Sequence, residues 1–245
     1  MLTWCLYLIF NIFPCLISQK LLEIRISNYK EFNLLTNINR LGRRIKSKLN
    51  RTFKLNTNLK NLRNSETLWY EGLPSNSLSL QDLFVLNYCD RKIQGFYLEI
   101  GAGWYRKINN TYVLEKYYDW KGLSVDNNLD LVSEFNLNRI NLCIAGDALK
   151  LNYESILKDN NFPEVIDYLS LDIDPAHQTL KVLLSLPWNI YKFKVITFEH
   201  DSYQNGNQIK YLSRMFLQKL GYKLVKKDVA APTFGKYEDW WAYHC

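Results

Sequence analysis

The sequence predicts an α/β protein: an open, mostly parallel sheet of seven strands, with helices on both faces and an antiparallel strand pair at the C-terminal end. Three observations predict it. Short apolar runs alternate with helix-period segments from about residue 79 onward. Five successive runs end in, or just before, an acidic residue: Glu99, Asp126, Asp147, Asp172 and Glu199. The last two runs, 222–225 and 240–243, have no helical pattern between them. Alternating strands and helices imply parallel strands joined by right-handed crossovers, which place every carboxyl end on one edge of the sheet. The last pair reads as an antiparallel hairpin.

The elements follow in order. Ser79 with Asp82 three residues on is a helix-start signature, and a helix to about Cys89 is expected. Residues 96–100 are a buried strand, and Thr111–Tyr118 a helix. Gly122–Asp126 is a short strand, Ile140–Ala145 another, leading into Gly146 and Asp147. Ile166–Leu171 is a strand running into Asp172; Gln178–Leu186 is a helix broken by Pro187. Phe193–Phe198 is a strand ending at Glu199, and a helix over about 208–219 stops at Gly221. Tyr222–Val225 and Trp240–Tyr243 close the fold around a loop holding Pro232 and Gly235.

The first of the five acidic tips carries the most chemistry. Phe96-Tyr-Leu-Glu-Ile-Gly-Ala-Gly103 is an apolar run that meets an acid and then two close glycines, the pattern of a parallel strand entering a ligand-cradling turn. A dinucleotide turn needs a third glycine to open its helix, and Arg106 stands there instead. Glu99 lies two residues before Gly101, where a carboxylate suits a ligand with a cationic ammonium group, such as S-adenosylmethionine (SAM). Asp126, 27 residues beyond Glu99, is placed to accept from both hydroxyls of a ribose. Asp147 is placed to accept from an adenine amino group. The expected cofactor set is therefore Glu99, Gly101, Gly103, Asp126 and Asp147, with Asn110 and Thr111 helping at the helix start.

Asp172 and Asp174 follow the fourth run, and Glu199, His200 and Asp201 the fifth. Carboxylates brought this close repel unless protons or a cation compensate. Three readings stand side by side. Asp172, Asp174, Glu199 and Asp201 hold a hard divalent ion such as Mg2+; His200 or Asp172 takes a proton from an acceptor hydroxyl without a metal; or Glu199 and Asp201 cap the next helix. Trp104, Tyr105, Tyr203 and Trp240 or Trp241 are expected on the same edge, where flat apolar faces suit a sugar ring.

Basic charge is uneven. Lys20–Arg63 holds 12 Lys/Arg against two acids, leaving 19 basic and 22 acidic side chains elsewhere in a chain of net charge +7. That stretch suits anionic lipid headgroups or nucleic acid, or is a solvated linker. Leu2–Ser18 is apolar apart from Thr3, Asn11, Pro14 and Ser18. It reads as a short membrane anchor, with the following positive charges keeping the main domain cytoplasmic, or as an apolar helix packed on the protein. The expected organisation is an apolar segment 1–19, a basic helical extension 20–75 and a catalytic domain 76–245, bounded by the Gly72-Leu-Pro-Ser75 turn. The five cysteines are scattered and show no zinc or disulfide spacing, in keeping with a reducing compartment.

From Ser79 onward, over roughly two-thirds of its length, the chain resembles the FkbM-type SAM-dependent methyltransferases. The matching stretches are Gln81–Val85, Gly95–Gly103, Asn109–Tyr112 with Leu114–Lys116, Trp120–Asp126, Ile166–Asp172, Tyr191–His200 and Tyr237–Trp241. The resemblance implies a class I, Rossmann-like methyltransferase fold and O-methylation, often of a sugar, glycan or polyketide-like acceptor. No specific nucleic acid is expected as a partner. Two stretches depart from the family. Ile173–Thr179 replaces a small E-G-x-E-like segment, and Trp104-Tyr105-Arg106 is bulkier than usual after the glycines. Two other classes stay open. One is an NAD-dependent oxidoreductase, against which the missing third glycine counts. The other is a non-catalytic membrane or nucleic-acid adaptor, which the basic extension favours and the acids at the strand tips oppose.

Overall fold

Ser170, Glu99 and Ser124 face one another across three neighbouring strands, so a row of polar side chains crosses the middle of a buried sheet. The sheet belongs to a computed structural model that describes residues 68–70 (backbone only), 72–231 and 235–243. The expected apolar segment 1–19, most of the basic extension, and the membrane reading attached to them lie outside the described residues. Among the described residues no helix is long and apolar enough to cross a membrane.

The seven strands are β3 (Phe96–Ile100), β4 (Lys121–Asp126), β5 (Leu142–Ala145), β6 (Val165–Leu171), β7 (Lys192–Glu199), β8 (Lys223–Ala230) and β9 (Lys236–Ala242), arranged β5-β4-β3-β6-β7-β9-β8. The first five in that order are parallel, while β9 runs antiparallel to both β7 and β8. This is the sheet predicted, with the strand order reversing between β3 and β6. That reversal opens the crevice in which open α/β sheets bind ligands.

Helices α1 (Gln81–Tyr88) and α2 (Tyr112–Tyr118) cover one face. There Tyr97, Tyr168 and Val195 pack on Val85, Leu86, Val113, Leu114 and Trp120. The other face carries α4 (Tyr153–Asp159), α5 (Ala176–Ser185) and α7 (Gln208–Lys219), which bury Leu157, Leu183 and Leu217 against Leu98, Ile100, Leu169, Leu171 and Ile196. Alternation along each strand sends successive residues to opposite faces, so Leu98 and Ile100 meet one core while Tyr97 and Glu99 meet the other.

Three short helices stand where no helix is expected: α3 (Leu129–Asn138), α4 and α6 (Ser202–Asn205). The caps of the first two are plain in hindsight. Asn128 accepts from the Asp130 and Leu131 amides, and Asn152 from the Ser155 amide. A hairpin, β1 (Leu68–Tyr70) with β2 (Leu73–Ser75), precedes the expected boundary at residue 75. Asp82 ties it to α1, accepting from Ser75 Oγ at 2.7 Å, the Asn76 amide at 2.7 Å and the Ser77 amide at 3.2 Å. In the reciprocal bond the Asp82 amide donates to Ser77 Oγ, not to Ser79, because Leu80 adopts a left-handed conformation and shifts the helix start. The strand expected from Ile140 begins at Leu142, since Ile140 is 95% exposed beside the α3 C-terminus.

The antiparallel edge is held by charge. Buried Asp239 on β9 accepts from Arg214 at 2.7 and 2.8 Å and from the Asp228 amide at 2.8 Å. Burial alone would raise its carboxyl, but these bonds outweigh it and hold the group at about 2. The folded value lies below the unfolded one, so this contribution is present above about pH 4 and is lost as pH falls toward 2. Urea midpoints measured from pH 5 to pH 2 are expected to fall, and Asp239→Asn to remove about 2 kcal/mol of that fall.

Candidate functional site

At the carboxyl ends of β3, β4 and β6 the surface opens into a cavity of about 360 Å3, a size usual for small-molecule sites. Its floor is the turn after β3. Gly101 has φ +89°, and a Cβ there would stand 1.7 Å from the Asp172 carbonyl oxygen, so the turn is pressed against the end of β6. The Gly101 and Ala102 amides both donate to the Val125 carbonyl, which fixes the turn against β4 as well. Glu99, Gly101, Gly103, Asn110, Asp126, Asp147 and Asp172 all line this one cavity, so every expected cofactor residue except Thr111 reaches it.

Glu99 is 1% exposed. Burial pushes its carboxyl up to about 7, against the pull of Arg139 and of hydrogen bonds from Ser124, Thr111 and Asn109. Ser124 Oγ donates at 2.8 Å, Thr111 Oγ1 at 2.9 Å and Asn109 Nδ2 at 3.2 Å. Thr111 is therefore a support for Glu99 rather than a residue of the cavity wall. Behind it Arg139 spends its guanidinium on five acceptors: Glu115, the Tyr105 carbonyl, Asn109 Oδ1, Tyr97 and Thr111. Asn110, only 6% exposed, donates to Ser170 Oγ at 3.1 Å, but its Oδ1 is buried without a partner. A buried amide oxygen left unpaired is costly, and a donor in the cavity would satisfy it.

Asp126, at the tip of β4, accepts from the Gly103 amide and the Asn128 amide, both at 2.8 Å. Each oxygen keeps a further lone pair for a ligand. Asp147 is exposed beyond β5; hydrogen bonds from the Leu149 amide and from Lys150 hold its carboxyl below the ordinary value.

The second group of acids resolves differently from the sequence expectation. Asp174, Glu199 and Asp201 each present a carboxylate oxygen within 4.8 Å of the others. Asp172 and Glu199 are hydrogen-bonded to each other. Burial raises both carboxyls, and the neighbouring Asp172 raises Glu199 further, so the pair retains a proton. Asp201 is pushed up to about 6 by burial and then by Asp174 and Asp172. Asp201 stands at the start of α6 in a left-handed conformation and makes no side-chain cap bond, which removes the helix-capping reading. His200 stands apart from the cavity. It is fully buried outside the cavity wall, its Nδ1 accepts from the Ser202 amide at 3.1 Å, and its Nε2 faces Asp239 at 3.6 Å. It belongs to the sheet edge, because β7 ends one residue earlier and alternation turns position 200 inward. Trp240 and Trp241 are likewise buried core residues, whereas Trp104 stands at the cavity rim, 45% exposed.

No known family's sequence pattern matches the chain, and no curated protein matches it. Solved structures do. The METTL16 MTase domain superposes with a TM-score of 0.50 at 11% identity, covering 66% of this chain and 66% of that one. An rRNA methylase from Streptococcus thermophilus gives 0.47 at 9% identity over 68% of this chain and 95% of that one. Fibrillarin from Aeropyrum pernix, in complex with natively bound S-adenosyl-L-methionine, gives 0.47 at 13% identity over 74% and 83%. At these identities the likeness is one of fold. The chain has a Rossmann-like fold, which the METTL16 MTase domain shares.

Arg139 is the support of the site that no sequence pattern announces. It sits alone between Asn138 and Ile140, with no motif around it, and only its burial reveals it. Replacing it leaves Glu115 and Glu99 buried without their cation. Arg139→Met is expected to lower the free energy of unfolding by about 3–5 kcal/mol, measured by urea titration.

Proposed function

We propose that this chain is a SAM-dependent methyltransferase acting on a hydroxyl oxygen of a sugar, glycan or related small molecule. The observation that carries the reading is the unpaired Asn110 Oδ1 beside Glu99 in the cavity that Asp126 also lines. These acceptors fit the donors of SAM. Glu99 and Asn110 would take its ammonium, Asp126 its ribose hydroxyls and Asp147 its adenine amino group, with Gly101 and Gly103 keeping the backbone out of the way. Bound there, SAM supplies a methyl group on a positively charged sulfur, already activated for displacement. The protein's own task is then to align the acceptor oxygen and exclude water. Asp172 lines the cavity and shares a proton with Glu199, so it is the group placed to accept the acceptor hydroxyl's hydrogen bond and proton.

The finer assignments rest on other supports. The FkbM-type branch rests on the motif run after Ser79, and the sugar-like acceptor on that resemblance and on Trp104 at the rim. A cytosolic catalytic domain, held near a membrane by the N-terminal segment, fits a cofactor made in the cytosol. A dinucleotide oxidoreductase is disfavoured by Arg106 at the third glycine position.

A divalent cation is a second reading of the acidic cluster. Asp174, Glu199 and Asp201 would hold an ion such as Mg2+, which Asp172 would flank. It is favoured by the absence of any cap bond from Asp201 and by Glu199 Oε2, which is buried without a partner. The ion would lower the charge of the cluster and polarise a hydroxyl.

Calorimetry with SAM and S-adenosylhomocysteine tests the main reading. Asp126→Ala is expected to weaken binding by about 1.5–3 kcal/mol, the scale of hydrogen bonds to a charged group; unchanged affinity removes Asp126 from the site. Because Glu99 titrates at about 7 and a bound ammonium favours its ionised form, affinity is expected to rise between pH 6 and pH 7 with proton release. Glu99→Gln should flatten that dependence. For the cation, methyl transfer to a hydroxyl-bearing acceptor is expected to stop in excess EDTA and return with Mg2+; transfer undiminished by EDTA excludes an essential exchangeable ion.

A further inference from the structure

We infer that Lys107 binds the carboxylate of the cofactor's amino acid tail, so that Lys107, Glu99 and Asn110 together read a zwitterion. The inference rests on the SAM reading of the cavity and deepens it.

Among the described residues that line the cavity, the ionisable side chains are Glu99, Asp126, Asp147, Asp172 and Asp174 on the acidic side, and Lys107 alone on the basic side. Lys107 has these acids along the same wall, yet none is hydrogen-bonded or ion-paired to it among the described residues. Its Nζ rests instead over the face of Trp104, 4.8 Å from the ring centroid. A cation–π contact of this kind holds an ammonium in place while leaving its N–H donors free. An ammonium lining an acidic cavity with its donors unspent is set up for an anion that arrives with the ligand.

The position of that anion follows from the loop. Lys107 and Asn110 lie three residues apart in the segment between β3 and α2, and Glu99 is on β3 itself. Asn110 Oδ1 is a buried acceptor without a donor, in a residue 6% exposed, and Glu99 is an acceptor beside it. A donor-seeking pair and a free cation at one end of a cavity are complementary to an ammonium and a carboxylate on the same carbon. Asp126 and Asp147 stand at the tips of β4 and β5, on the other side of β3. The cavity is thus polarised: the amino acid end of a ligand toward α2, the nucleoside end toward β5. The bulky Trp104-Tyr105-Arg106 segment, unusual after such a glycine turn, acquires a role, because Trp104 is the platform that holds Lys107.

The test compares two ligands that differ in the amino acid tail. S-adenosylhomocysteine carries it, and 5′-methylthioadenosine does not. Calorimetry is run on the full chain as wild type, Lys107→Met and Lys107→Arg. The wild type is expected to bind S-adenosylhomocysteine more tightly than methylthioadenosine. Lys107→Met is expected to lose on the order of tenfold in affinity for the first, the scale of one charge-assisted hydrogen bond, and nothing for the second. Lys107→Arg is expected to recover most of the loss, and the wild-type preference to shrink as salt is raised. Unchanged S-adenosylhomocysteine affinity in Lys107→Met overturns the inference while leaving the SAM reading intact, and so does an equal loss for both ligands. A wild type that binds neither compound overturns both. Retained methylthioadenosine binding in Lys107→Met shows that the variant has folded.

Discussion

A carboxylate in the middle of a buried sheet is the constraint to which most of the site answers. Glu99 cannot be moved to the surface without giving up its place at the tip of β3, where the ligand turn begins. It cannot be left unassisted either, because a desolvated charge costs far more than a desolvated amide. Ser124 from the neighbouring strand, Thr111 and Asn109 from the α2 entrance, and Arg139 from the end of α3 all converge on it or on its partners. One guanidinium thereby joins the turn after Gly103, the start of α2 and the end of α3 into a single polar knot. The glycine turn is held by these neighbours and by the Val125 carbonyl, and it shapes the cavity.

The two acidic groups along the edge solve the same problem in opposite ways. Around Glu99 the compensation is hydrogen bonds from Ser124, Thr111 and Asn109 and one buried cation, with Oε1 left able to accept more. Around Asp172 and Glu199 no such cation stands among the described residues, and the compensation is a retained proton. The first arrangement suits binding, since a bound cation draws Glu99 into its ionised form. The second suits a group that must change its protonation state. Asp228 and Asp239, at the far edge, are a third case. Their carboxylates are taken up by Lys210 and Arg214 and are structural.

Much of this was open to a reader of the sequence alone. The seven strands are legible because each is a short apolar run closed by an acid or a glycine, and a buried parallel strand has few other ways to read. The cavity acids are legible for the same reason: topology alone places Glu99, Asp126, Asp147 and Asp172 on one edge. What escapes is whatever depends on side-chain direction or on a partner distant in the chain. His200 follows an acidic tip just as Asp172 follows β6, yet it points into the sheet edge. Helix α3 buries only Val132 and Phe135, too few apolar positions to set a period. Arg139 bonds to residues 24 to 42 positions earlier, and no local pattern announces such a contact. The Asp82 cap shows a subtler failure, in which the pairing principle is right but the partner is two residues away.

The placement of β9 between β7 and β8 bears on how the protein comes into being. A chain emerging from the ribosome presents β3 to β8 before the strand that must slot between two of them. Until residues 236–242 arrive, β7 has an open edge, β8 has no place to pair, and Arg214 lacks its bidentate partner Asp239. Sheet completion is therefore delayed until synthesis has passed that segment, and a nascent intermediate with an unpaired hydrophobic margin is what chaperones recognise. Shortening the chain by this one strand would not trim the domain; it would strand the preceding one.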